Sequence, residues 1–138
     1  MSFAPIRDIR NALMLLTRVP LPKGKDAPRL ADVVWAFPLT GLALGLIAAT
    51  AGGVAARLGF SEPLIALFLL ATLIITSGAM HEDGLADTAD GFWGGWDPAR
   101  RLEIMKDSHI GSYGVLALIL SFAARWTALT TLVSEGNW

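Results

Sequence analysis

The fold turns on one junction, where LIALFLLATLIITSGAM, Leu64–Met80, runs into HEDGLADTADGFWGG, His81–Gly95. An uncharged apolar stretch meets a segment crowded with carboxylates. Asp83, Asp87 and Asp90 are spaced i, i+4, i+7, so in a helix all three project from nearly one line. Like charges on one stripe repel, and toward the negative C-terminal end of a helix leaving a membrane they need a cation. A divalent metal is the simplest candidate. Hard carboxylate oxygens suit Mg²⁺, which keeps waters and shares its shell with substrate phosphates. A merely solvated helix face fits poorly beside a membrane exit interleaved with Gly84, Gly91, Gly94 and Gly95.

Working outward, the chain of 138 residues is 54% hydrophobic and only 17% charged, with a mean hydropathy of +0.54. That balance points to the lipid bilayer rather than an ordinary soluble domain. A formal net charge of −1 offers no electrostatic case for nucleic acid. With no cysteine, disulfides, thiolate metal sites and Cys nucleophiles are excluded. Oligomeric state leaves no mark in the sequence.

From Ser2 to Val19, apolar Phe3, Ile6, Ile9, Leu13 and Leu16 recur at helical steps beside Arg7, Arg10 and Arg18. This is an amphipathic helix, lying along a membrane surface or packed on the rest of the bundle. Pro20 and Pro22 are expected to end it, and Leu21–Arg29 is a Pro/Gly/Lys loop. Ala36–Ala56 carries no charge and is long enough for one span, with Trp35 at the interface. Gly41, Gly45, Ala49, Gly52 and Gly53 would let this helix approach its neighbour closely, most simply the next span. After a turn at Arg57–Pro63, Leu64–Met80 forms the second span and leads straight into the acidic segment. A third apolar stretch runs from Gly111 to Val133 and is interrupted by Arg125, expected to snorkel toward the far interface or to contact an anion. The fold class is therefore all-α: a polytopic membrane protein of about three transmembrane helices plus the amphipathic one, forming a single membrane domain over residues 1–138.

Basic residues set an orientation: Arg7, Arg10, Arg18, Lys23, Lys25 and Arg29 precede the first span, Arg57 lies in the turn, and Arg100, Arg101 and Lys106 follow the second. The positive-inside rule puts the N-terminus and the acidic segment on the cytoplasmic side. There RRLEIMKDSHIGSYG, Arg100–Gly114, offers Arg100, Arg101 and Lys106 as phosphate contacts and Asp107 as a further ligand or base. Lipid-headgroup anchoring is the competing reading of the arginines. His81 could act as a base, although it faces away from the Asp stripe, which suits a structural hydrogen bond better. Trp93 and Trp96 read as interfacial aromatics, and Gly111 and Gly114 let the chain bend as it re-enters the membrane.

These residues carry a resemblance. HEDGLADTADGFWGG followed by RRLEIMKDSHIGSYG closely resembles the signature of the cobalamin synthase, or adenosylcobinamide-GDP ribazoletransferase, family. LLTRVPLP, Leu15–Pro22, and FPLTG, Phe37–Gly41, resemble that family's N-terminal region. The resemblance implies a Mg²⁺-dependent, multi-pass enzyme of the bacterial inner membrane that completes the nucleotide loop of cobalamin. In that family the hydroxyl of α-ribazole, or of its 5′-phosphate, displaces GMP from adenosylcobinamide-GDP. Asp83, Asp87 and Asp90 correspond to the family's acidic motif, and Lys106 with Asp107 to its second motif. The chain departs from the pattern at His109, where Arg is the common family residue. It also stops at Trp138 where family members continue with further spans, so the resemblance implies the N-terminal part of a larger bundle.

Other classes compete. Asp87–Gly91 also resembles part of the CDP-alcohol phosphotransferase motif. An intramembrane prenyltransferase normally needs two acidic clusters, and one is visible. A transporter expects acids inside its apolar runs, whereas both complete spans are uncharged.

Overall fold

The computed structural model describes residues 4–22 and 29–136, and every regular element among them is helical. The expected loop residues Lys23–Pro28 lie outside the described residues. The chain divides into two compact units, Met1–Gly78 and Ala79–Trp138.

The first unit opens with α1 (Pro5–Leu16), which ends before the prolines expected to stop it. Thr17 accounts for the early end. Its hydroxyl donates to the Leu13 carbonyl at 2.7 Å and accepts from the Val19 amide at 3.2 Å, bonds that compete with another helical turn. The helix packs on α3 with its polar edge inward. Asp8, Asn11 and Ala12 are buried, while Ile6 is 86% exposed. Of the two sequence readings, packing on the neighbouring helices is observed, with Ile9, Leu13 and Leu16 half-buried and only Ile6 of the described stripe fully outward.

The one-turn α2 (Leu30–Val33) and a 3₁₀ turn (Val34–Ala36) lead into α3 (Phe37–Arg57), and a short turn joins α3 to α4 (Glu62–Ser77). α3 packs on α4, the neighbour expected. The contact stripe differs from the expected one. Thr40, Leu44, Ala48, Gly52 and Ala55 are the buried residues of α3, so Gly52 alone of the expected small residues is buried, and a Cβ added at Gly41, Gly45 or Gly53 would meet nothing within 4 Å. On α4, Ile65, Ala66, Leu69 and Leu70 are buried. The outward faces stay apolar, with Leu42, Leu46 and Ile75 exposed.

The largest difference from the sequence reading lies at the opening junction. The apolar run does not continue into the acidic segment: Gly78 and Ala79 both adopt left-handed backbone, φ +68° and +57°, and break the helix. Gly78 closes α4 by donating its amide to the Ile75 carbonyl at 3.1 Å. The Arg18 amide donates to the Thr76 carbonyl at 2.9 Å, and the Arg18 side chain lies across Gly78, placing a cation at the negative end of α4.

The second unit comprises α5 (Met80–Gly94), α6 (Pro98–Ile104) and α7 (Ser112–Ser134). Because α5 is a new helix, Glu82 and Asp83 fall in its first turn, at the favourable positive end of the dipole. α6 was not anticipated, although its start is written in the sequence. Asp97 accepts the Arg100 amide at 3.0 Å and Pro98 occupies the first turn. By length and composition, Leu30–Arg57 and Ser112–Ser134 can each cross a membrane, and the interrupted pair α4 and α5 gives a third span if counted as one.

Candidate active site on the acidic helix

α5 packs on both α6 and α7. Toward α6, glycines permit close approach: a Cβ at Gly91 would stand 2.7 Å from Met105 Cγ, and one at Gly95 the same distance from Arg101 Cγ. Arg101 wedges into this contact. Its Nε donates to the Gly95 carbonyl at 3.0 Å and its guanidinium lies 5.1 Å from the centre of the Phe92 ring. Arg101, expected to hold phosphate, thus has a structural occupation. Arg100 is exposed and pairs with Glu103 at 2.7 Å.

Toward α7, two polar contacts fix α5. At its end, Asp90 is 8% exposed and accepts the amides of Gly111 at 2.7 Å and Gly114 at 2.8 Å, one on each carboxylate oxygen. Those amides belong to the first turn of α7 and its cap, where a helix leaves donors unsatisfied and favours an anion. At its start, Glu82 accepts from Arg125 at 2.7 Å. The expected snorkelling of Arg125 is replaced by this ion pair. Since Glu82 meets the interior of α7 and Asp90 meets its beginning, the two helices run antiparallel. Arg125 stands 13 residues past Ser112, about 20 Å along the axis at 1.5 Å per residue.

Asp83 and Asp87 share Asp90's side of α5 but remain exposed and half-buried respectively. No group of three or more His, Cys, Asp or Glu side chains among the described residues stands close enough to hold a metal ion. The expected set of Asp83, Asp87 and Asp90 is thus not gathered into one cluster among the described residues. Two carboxylates at i, i+4 do suit Mg²⁺, which commonly takes one or two with waters and substrate phosphates completing its shell.

Lys106, Asp107 and His109 lie exposed in the turn between α6 and α7. The Asp107 carboxylate accepts both the His109 amide at 3.1 Å and its ring Nδ1 at 2.6 Å. These hydrogen bonds hold Asp107 below the usual carboxylate range, and the Asp107 partner raises His109 above the ordinary histidine value. His81 is exposed in the first turn of α5, away from the stripe. Trp93 and Trp96 are 68% and 96% exposed, and the Trp93 ring lies 6.3 Å from that of Tyr113. Sequence reasoning passed over Glu82 and gave Asp90 and Gly111 other roles. The available signal was an acid on one helix and an Arg inside the next apolar run, which together imply a pair.

The class these features define is an α-helical membrane protein with an acidic helix laid along a helix long enough to span. Residues 8–138 match the cobalamin-5-phosphate synthase family, and the chain belongs to that family. It is similar to the adenosylcobinamide-GDP ribazoletransferase of Bradyrhizobium diazoefficiens, 48% identical over 131 residues that cover 94% of this chain and 50% of that protein. The protein of the same name from Mesorhizobium japonicum is 48% identical over 128 residues, 91% of this chain and 49% of its own. That from Chlorobium phaeobacteroides is 43% identical over 131 residues, 95% of this chain and 52% of its own. The chain thus spans about half the length of the curated relatives it matches. No solved structure matches it.

Proposed function

We propose that this chain carries the diphosphate-handling part of a Mg²⁺-dependent adenosylcobinamide-GDP ribazoletransferase, a late step of cobalamin biosynthesis. The observation that supports it most is the match to relatives of that name across the helix bearing Asp83 and Asp87 and the turn bearing Lys106 and Asp107. The substrates are adenosylcobinamide-GDP and α-ribazole or its 5′-phosphate. The ribazole hydroxyl attacks the phosphorus nearer the corrinoid. A new P–O bond forms, the anhydride P–O bond breaks, and GMP departs with the electron pair. Mg²⁺ held by Asp83 and Asp87 would neutralise charge on the diphosphate. Lys106 from the turn and Arg100 from α6 bind phosphate oxygens. The hydroxyl proton passes to the Asp107 carboxylate, which the His109 amide and ring Nδ1 hold in place. His81, facing away from the stripe, takes no part.

The reading places the protein in the bacterial inner membrane as a multi-pass protein with the acidic helix open to the cytoplasm. The distribution of Arg and Lys about the apolar runs supports that orientation. The contact of Glu82 with Arg125 adds that the stripe extends alongside α7 rather than ending above it.

The test uses proteoliposomes carrying the protein, supplied with adenosylcobinamide-GDP and α-ribazole. GMP and adenosylcobalamin should appear in equal amounts with Mg²⁺ and stop on addition of EDTA. Equal formation in EDTA refutes the metal, and GMP release without cobalamin refutes the acceptor.

A further inference from the structure

We infer that the acids of α5 divide into two working pairs, and that Glu82 and Asp90 are positioning residues that fix the register of α5 along α7. This rests on the function proposed above only for the identity of what is positioned. The division follows from contacts. Asp90 gives each carboxylate oxygen to a different α7 backbone amide, Gly111 at 2.7 Å and Gly114 at 2.8 Å. Glu82 is held by Arg125 at 2.7 Å, with its side chain only 19% exposed. The outer members of the set are thus bonded to α7, while the inner ones, Asp83 and Asp87, lie exposed and half-buried on the side that Asp90 shares.

Both ends of the Asp90 clamp are built for it. A Cβ at Gly111 would stand 2.9 Å from Asp90 Cγ, and one at Gly114 would stand 3.1 Å from both Asp90 Cγ and the Ala86 carbonyl. Glycine at both positions is what admits the carboxylate. Sliding α5 by one residue along α7 would carry Asp90 away from its two donors and Glu82 away from Arg125 at once. The pairing therefore sets where Asp83 and Asp87 stand relative to the turn bearing Lys106 and Asp107, since that turn leads directly into Gly111. A carboxylate whose oxygens are both spent on backbone amides has little left for a metal, and its acidity serves here as a cap for α7.

The absence of cysteine allows a clean test. Spin labels at Thr88→Cys and Ser108→Cys, both at exposed positions, report the distance between α5 and the basic turn without metal or substrate. Measured well below the unfolding midpoint, the parent should give one narrow distance distribution. Asp90→Ala and Glu82→Gln should each broaden it at least twofold, whereas Asp87→Asn should leave it unchanged. Gly114→Ala, which displaces the carboxylate without removing it, should broaden it as Asp90→Ala does and covers the case in which that variant fails to fold. An unchanged narrow distribution in Asp90→Ala or Gly114→Ala overturns the inference, even if the unfolding midpoint falls. Because no step requires turnover, a failure here is separate from a failure of the proposed reaction.

Discussion

Replacing Gly114 by Ala sets two effects of opposite sign against each other. Gly114 lies in the first turn of α7, where helix propensity favours Ala by up to about 1 kcal/mol. The added methyl, however, would stand 3.1 Å from the Ala86 carbonyl carried by α5 backbone and would press on the Asp90 carboxylate. The carbonyl cannot rotate away, so overpacking of about 1–3 kcal/mol is expected. Displacing Asp90 weakens charge-assisted bonds worth about 1.5–3 kcal/mol each. Packing therefore wins, and Gly114→Ala should destabilise the protein by about 1–3 kcal/mol after the propensity gain is subtracted. Gly84 supplies the control, since it lies within α5 and an added Cβ there meets nothing within 4 Å. Gly84→Ala should be neutral or stabilising by about 0.5–1 kcal/mol. Reversible unfolding in detergent, followed by circular dichroism without metal, gives both values. Gly114→Ala at or above parental stability would refute the reasoning.

Arg125→Met should cost about 1–3 kcal/mol by leaving Glu82 unpaired, less than for a fully buried pair because the Arg125 side chain is 39% exposed. The double variant with Glu82→Leu should recover most of the loss, and unfolding measurements on the three proteins decide it. At Gly78, where φ is +68° and the Arg18 side chain crosses the α-carbon, Gly78→Ala should lower the unfolding midpoint, and Arg18→Ala should relieve part of that loss. The Asp107–His109 pair has a definite sign. His109 is raised, so its contribution is present below its unfolded value and lost as pH rises through the folded one; Asp107 is lowered, so its contribution is lost as pH falls through its folded value. NMR titration of the His109 ring should therefore give a midpoint above the ordinary histidine value, moved down by Asp107→Asn; a midpoint that ignores the substitution refutes the pairing.

The apolar runs were legible because lipid-spanning helices announce themselves by length and lack of charge. α3 and α7 fall within a residue or two of the expected spans. The family was legible because its motifs are dense and ordered. The break at Gly78 and Ala79 was not, since Ala at positive φ carries no sequence signal and the run on either side satisfies helical periodicity. That one missed break reverses the dipole argument for Asp83. The role of Asp90 was hidden for a different reason. Spacing places it on the same stripe as Asp83 and Asp87, and only the approach of Gly111 and Gly114, more than twenty residues later, separates a cap from a ligand. Arg101 reads from spacing as a phosphate contact, and the structural role added by its bond to the Gly95 carbonyl could not be read there. In each case the decisive partner is tertiary.

The central claim is that Asp83 and Asp87 hold the metal while Asp90 holds the helix. Its most direct measurement is Mn²⁺ binding to the purified protein by electron paramagnetic resonance, with Mn²⁺ standing in for Mg²⁺. The account predicts that binding to the parent survives in Asp90→Asn with less than about threefold loss of affinity, and falls at least about tenfold in Asp83→Asn and Asp87→Asn, the latter a loss of about 1.4 kcal/mol or more. Equal loss in all three variants would restore a three-carboxylate site, and unchanged binding in Asp87→Asn would remove the metal from this helix.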